Sequence, residues 1–157
     1  MIRTSRRTRL CNFLLIAMLA VIWGNSMIPG SDSGALSGGI MEWVMALLGI
    51  PENASDMVHL LIRKAAHFTE FACLGMLITW RLGMAGEQGF HLAALSVFGG
   101  MSAACIDETI QVFSPDRGPS LIDVWIDVGG VAAGMTVLLL GHHLMRKRIT
   151  NNLEETT

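Results

Sequence analysis

The chain has no tyrosine and only four prolines among its 157 residues, and charged residues make up just 15% of it. So little charge, with a formal balance of −2, gives no support to a nucleic-acid partner, and none is expected. Cysteine is scarce as well. Cys11, Cys73 and Cys105 fall in three separate apolar stretches without redox or metal spacing, which excludes a disulfide scaffold and a cysteine-held zinc. They read as packing residues.

What the chain does have is apolar length. Hydrophobic residues reach 52% with a mean hydropathy of +0.50, well beyond the need of a soluble domain this small. Seventeen glycines add to the case, because glycine lets membrane helices approach one another closely. The expected fold is therefore all-α: one domain over 1–157, a transmembrane helical bundle embedded in the lipid bilayer.

Four spans are expected, at 10–28, 56–82, 90–113 and 120–145. The first follows Arg3, Arg6, Arg7 and Arg9, a pattern shared by signal peptides and uncleaved anchors. No clear A-x-A site follows the run, which favours the anchor, although Gly24-Asn25-Ser26 keeps cleavage in view. Between the first and second spans lies a loop rich in Gly, Ser and acidic residues, with a short interfacial helix near 39–50 carrying Trp43 and a break at Pro51. Short connections at 81–87 and 114–119 contain the Gly or Pro that ends a helix.

Orientation follows the basic residues outside the spans. The four N-terminal arginines, Arg81, and the run Arg146-Lys147-Arg148 should all be cytoplasmic. Both termini then lie on the cytoplasmic side of a cytoplasmic (inner) membrane. The loop bearing Asp32, Glu42 and Glu52 faces out with Arg117, and the sequon-like Asn53-Ala54-Ser55 is read as chance.

With that topology the ionisable residues of three spans share one depth, in the outer half of the bilayer. Lys64, His67 and Glu70 recur at i, i+3 and i+6 on one broad face of the second span. Asp107, Glu108 and Gln111 end the third, Ser120, Asp123 and Asp127 begin the fourth, and Arg117 sits on the loop between them. A charge in the bilayer centre costs about 2.5 to 3.5 kcal/mol on insertion scales, so these groups should face the bundle interior and one another. Glu70, Asp107, Glu108, Asp123 and Asp127 offer five carboxylates to Lys64, Arg117 and the titratable His67. That excess implies protonated acids, a bound cation, or water access.

Other features have plainer readings. Arg63 lies on another face and is expected to snorkel. His59, His91, His142 and His143 sit near span boundaries, and Trp23, Trp80 and Trp125 read as belt residues. Gly130 and Gly134 are a small-xxx-small packing pair, and such faces also allow oligomers.

The segments Lys64-Ala65-Ala66-His67-Phe68-Thr69-Glu70-Phe71, Asp107-Glu108-Thr109-Ile110-Gln111-Val112-Phe113, Pro115, Arg117, Ser120, and Asp123-Val124 with Asp127 and Gly130 together resemble the signature of the VanZ-like family. The likeness covers 56–145. It implies a polytopic fold and a shared site rather than a reaction, since the family is named for an accessory protein of glycopeptide, specifically teicoplanin, resistance. In that family the position of Asp127 is often Asn, so this chain carries an additional acid there.

Three functions fit the residues. A binding site for an envelope lipid or lipid-linked precursor would use Lys64, Arg117, Asp107, Gln111, Ser120 and Asp127 around a polar headgroup. An intramembrane hydrolase or transferase would use His67 as a base oriented by Glu70 or Asp123, with Glu108 as a second acid–base group. One histidine among acids is a poor zinc set, and no metal is assigned. A small transporter or proton relay ranks last, because the inner halves of the spans carry almost no charge.

Overall fold

The computed structural model describes residues 5–29, 39, 43, 45–47, 51, 55–115, 117, 118 and 120–154. The acidic loop residues Asp32, Glu42, Glu52 and Asn53 lie outside that set, as does the side chain of His59. Of the expected interfacial helix, 39, 43 and 45–47 are helical and the remainder lies outside the described residues.

Four long helices make up the body: α1 (Arg6–Met27), α2 (Ser55–Met84), α3 (Gly89–Val112) and α4 (Leu121–Glu154). No strand occurs among the described residues. Local chemistry sets the helix ends. Ser5 caps α1 by accepting from the Thr8 N–H at 3.2 Å. At the other end Ile28 turns to extended backbone (φ −73°, ψ 129°), as the residue before Pro29 must. After α2 the chain reverses through Gly86, whose φ of +98° is the left-handed value that glycine adopts without strain. The hydroxyl of Ser120 accepts from the Ile122 N–H at 3.2 Å and starts α4.

α4 runs nine residues beyond the expected end of its span at 145, to Glu154. Nothing in Arg146 to Glu154 breaks a helix, so the helix continues after the apolar stretch has ended.

By length and hydropathy, α1, α3 and α4 can each cross a membrane. α2 falls short of them in hydropathy because Arg63, Lys64, His67 and Glu70 lie within it, yet its 30 residues span about 45 Å against a hydrocarbon core of about 30 Å. It packs against all three other helices, most extensively α4. Burial within the bundle gives its polar side chains an interior to face.

The core is small: Ile22, Phe71, Leu74, Ala103, Ala104, Val124 and Val131, with Leu15, Met18, Leu19, Trp23, Ile78 and Val128 packed against it. The surface is the more apolar region. Phe13, Ile16, Phe90, Phe98, Leu121 and Val137 all point outward, whereas Asp107, Asp127, Gln111 and Ser26 are buried. An apolar exterior around a polar interior is what lipid as solvent demands.

Close helix contact is achieved by omitting side chains. A Cβ at Gly130 would collide with the Phe68 carbonyl, and one at Gly134 with the Ala72 backbone. Gly75 and Gly100 likewise receive Val131 of α4, Gly75 against its backbone and Gly100 against its side chain. The packing reading of Gly130 and Gly134 holds.

Candidate functional site

The polar residues gather at one end of the bundle, where α1 and α3 finish and α4 begins. Each arrives there for a local reason. On α2 the i, i+3 spacing turns Lys64 and His67 toward α3 and α4. On α3 and α4 the one-turn pairs Asp107/Gln111 and Asp123/Asp127 face back.

Lys64 forms an ion pair with Asp123, joining α2 to α4. His67 Nδ1 lies 3.8 Å from Asp107 Oδ2 and 3.9 Å from Asp127 Oδ1. Asp107 and Asp127 are 0% and 1% exposed, deeper than any other acid of the site. Gln111 donates to Asp107 Oδ2 at 2.8 Å and holds that carboxylate in place. Glu108 accepts the Ser120 backbone N–H at 2.8 Å, placing its charge at the N-terminus of α4 where the helix dipole favours it.

Several of these polar atoms are unsatisfied. Asp107 Oδ1, Glu108 Oε1, Arg117 Nη1 and both Asp127 oxygens are buried without a hydrogen bond among the described residues. Glu108 and Asp127, two of these residues, line a cavity of about 10 Å³ together with Arg63, Lys64, His67, Gln111, Asp123 and Ile126. That is roughly the space of one water molecule or ion. Arg63, expected to snorkel, lines this cavity.

Three expected members are engaged differently from their anticipated roles. Glu70 turns toward α1 and accepts from Asn25 Nδ2 at 2.8 Å. The partners at His67 are thus Asp107 and Asp127, with Glu70 and Asp123 occupied elsewhere. Ser120 is a helix cap whose N–H also holds Glu108, and Arg117 donates from Nε to the Ile28 carbonyl and from Nη2 to the Asn25 carbonyl, both at 2.9 Å. The guanidinium thereby covers the C-terminal carbonyls of α1, the end of a helix that attracts a cation. Burial and the neighbouring Arg63 lower the Arg117 pKa from its ordinary value, although arginine stays charged in proteins.

The contribution of α1 was missed in the sequence. Ser26 is fully buried, receives Gln111 Nε2 at 3.4 Å and gives its carbonyl to the Ser114 hydroxyl at 2.6 Å. The available signal was Asn25-Ser26 itself, two polar residues closing an apolar run. Trp23, read as a belt residue, instead donates its indole N–H to the Ala103 carbonyl of α3 at 3.4 Å. Among the cysteines, Cys11 is buried, Cys73 half-buried and Cys105 exposed, and all three are free.

Helices long and apolar enough to cross a membrane, with a polar cluster shared among them at one end, define a multi-pass membrane protein. The family described as VanZ/LLP1 matches residues 12–142. The chain belongs to this VanZ-like family. No curated protein and no solved structure matches it.

Proposed function

We propose that the polar end of the bundle faces outward from the cytoplasmic membrane and engages the phosphate- or carboxylate-bearing headgroup of an envelope lipid or lipid-linked precursor. One observation carries this reading. A single stretch of α2 presents Arg63, Lys64 and His67 to the polar cavity, and its Ala65, Ala66, Thr69 and Glu70 to an open groove of about 450 Å³ shared with Met18 and Cys73. An acyl or prenyl chain in that groove would bring its headgroup to the level of Arg63 and of Lys64, so that an anion would meet the Arg63 guanidinium and share Lys64 with Asp123. The outward orientation rests on the distribution of arginine and lysine between the two sides.

The test uses purified protein in lipid nanodiscs. Melting temperature and retained lipids are measured against phosphatidylethanolamine, phosphatidylglycerol, cardiolipin and a polyprenyl phosphate. Stabilisation by one class, lost in Arg63→Ala and Lys64→Ala, supports the reading. Identical melting in all lipids, with both variants matching wild type, overturns it. A change in teicoplanin susceptibility on deletion of the protein would place the engaged component in the pathway that glycopeptides attack.

A second reading has its own support. An imidazole set between two buried carboxylates, with Nδ1 at 3.8 and 3.9 Å from them, is an arrangement that can activate water for hydrolysis or transfer on a lipid-linked substrate. Turnover of phosphate-bearing lipids by wild type, absent in His67→Ala, distinguishes an enzyme from a binding protein.

A further inference from the structure

Asp107 and Asp127 are buried as completely as any side chain in the bundle, at 0% and 1% exposure. Both oxygens of Asp127 and one of Asp107 nevertheless accept no hydrogen bond among the described residues. The nearby cations are committed elsewhere or stand off: Arg63 lines the same cavity as Asp127 but forms no ion pair with Asp107 or Asp127 among the described residues. Lys64 is paired with Asp123, and Arg117 is held by the carbonyls of Asn25 and Ile28. Two buried carboxylates without a counter-charge are costly.

The group that faces them is His67, whose Nδ1 stands 3.8 and 3.9 Å from the two carboxylates. These separations exceed hydrogen-bond reach. They suit donors sharing an ion: two atoms each about 2.1 Å from one cation stand about 3.0 Å apart at right angles and about 4.2 Å apart when opposed. One ligand atom from each of His67, Asp107 and Asp127 lies within 4.8 Å of the others. The three come from α2, α3 and α4, so the bundle itself fixes their arrangement.

Two further details favour an occupant of ionic size. The cavity beside His67 and Asp127 is about 10 Å³, roughly one ion or water. Gln111 donates to Asp107 Oδ2 at 2.8 Å, the kind of outer contact that orients a ligating carboxylate.

We infer that His67, Asp107 and Asp127 bind one divalent cation. Two carboxylate oxygens and one imidazole nitrogen, with no sulfur, select a hard to borderline ion, for which Mn²⁺ is the practical probe and Mg²⁺ a chemical neighbour. The dication neutralises both buried acids and leaves coordination positions open toward the cavity. Glu108 Oε1, also without a partner, lines that cavity and offers an acceptor to water on the ion. The site is independent of the headgroup reading, because the metal alone is its probe.

The full chain, purified in detergent and stripped with chelator, is titrated with Mn²⁺ and followed by electron paramagnetic resonance. One Mn²⁺ per chain is expected, with a ¹⁴N coupling from imidazole and a melting temperature that rises with metal. His67→Gln should abolish the coupling. Asp127→Asn and Asp107→Asn should each weaken binding at least about 10-fold, and Gln111→Ala about 10-fold, the lower end of what outer contacts contribute. Glu87→Gln, in the loop at the opposite end of α2, should bind as wild type. The wild-type coupling and melting shift read out the site even where a variant fails to fold. Absence of stoichiometric binding of Mn²⁺, Mg²⁺, Ca²⁺ and Zn²⁺ overturns the inference. So does binding that lacks the nitrogen coupling and survives Asp127→Asn, which would be adventitious capture by surface acids.

Discussion

Arg117 donates from Nε to the carbonyl of Ile28 at 2.9 Å, fastening the loop between α3 and α4 to the end of α1. Its Nη2 reaches Asn25 in the same manner. A hydrogen bond to a charged group contributes about 1.5 to 3 kcal/mol; the Nε bond is part-buried and the exposed Nη2 bond adds little, so Arg117→Ala should lower stability by roughly 2 kcal/mol. Arg117→Lys should recover less than half, since an ammonium cannot reproduce the planar fork. Thermal melts in one detergent, comparing the three proteins, check both statements.

The glycines of α4 divide into two kinds. Gly134→Ala places a methyl against the Ala72 backbone, and because backbone cannot yield as a side-chain tip can, a loss of about 1 to 3 kcal/mol is expected. Gly141 has nothing within 4 Å. Gly141→Ala should therefore be neutral or raise stability by up to about 1 kcal/mol through helix propensity. Equal effects of the two substitutions would contradict the packing argument.

Lys64 and Asp123 should behave as a coupled pair. Their side chains are only partly exposed, at 28% and 21%, so removing either one leaves a poorly solvated charge. A double-mutant cycle with Lys64→Met and Asp123→Leu should give a coupling of about 0.5 to 3 kcal/mol. Additive losses would mean that the two charges are satisfied independently.

Ser120 separates capping from ligand contact. Ser120→Ala removes the acceptor for the Ile122 N–H and should cost about 1 kcal/mol. Ser120→Asp, another good cap, should restore the stability. Metal and lipid binding should persist in Ser120→Ala, whereas a substrate contact at the hydroxyl would show as lost affinity at unchanged fold.

Orientation can be read with a membrane-impermeant maleimide in a background lacking Cys11, Cys73 and Cys105. Gly118→Cys, at an exposed position beside Arg117, should label in intact cells. Ala85→Cys, exposed on the opposite connection, should label only after permeabilisation. The reverse pattern would invert the topology and remove the outward-facing site.

The helices were legible because their punctuation is chemical. Pro29, Gly86 and Ser120 each end or begin a helix by a backbone preference that a single residue reveals, so the observed ends fall close to the expected ones. The C-terminus of α4 was not legible in the same way. Hydropathy marks where a membrane ends, and Arg146 to Glu154 simply continue as helix outside it. Within the site, the convergence of His67, Asp107 and Asp127 followed from one-turn spacing and a shared depth. Pairing did not, because periodicity says which residues share a face but not which neighbour lies opposite. Lys64 therefore finds Asp123, and Glu70 finds Asn25 at the end of a helix whose charges, Arg6, Arg7 and Arg9, all lie at its other end.

The close approach of α2 and α4 acts as a gauge for the chemistry beside it. Phe68, whose carbonyl rests on Gly130, follows His67 directly, and Gly130 stands one turn after Asp127. The spacing between imidazole and carboxylate is thus calibrated by the absence of a methyl group one turn away. A substitution at Gly130 would alter affinity at the site without touching a single donor atom, and the tolerance of the site is that of two backbones in contact.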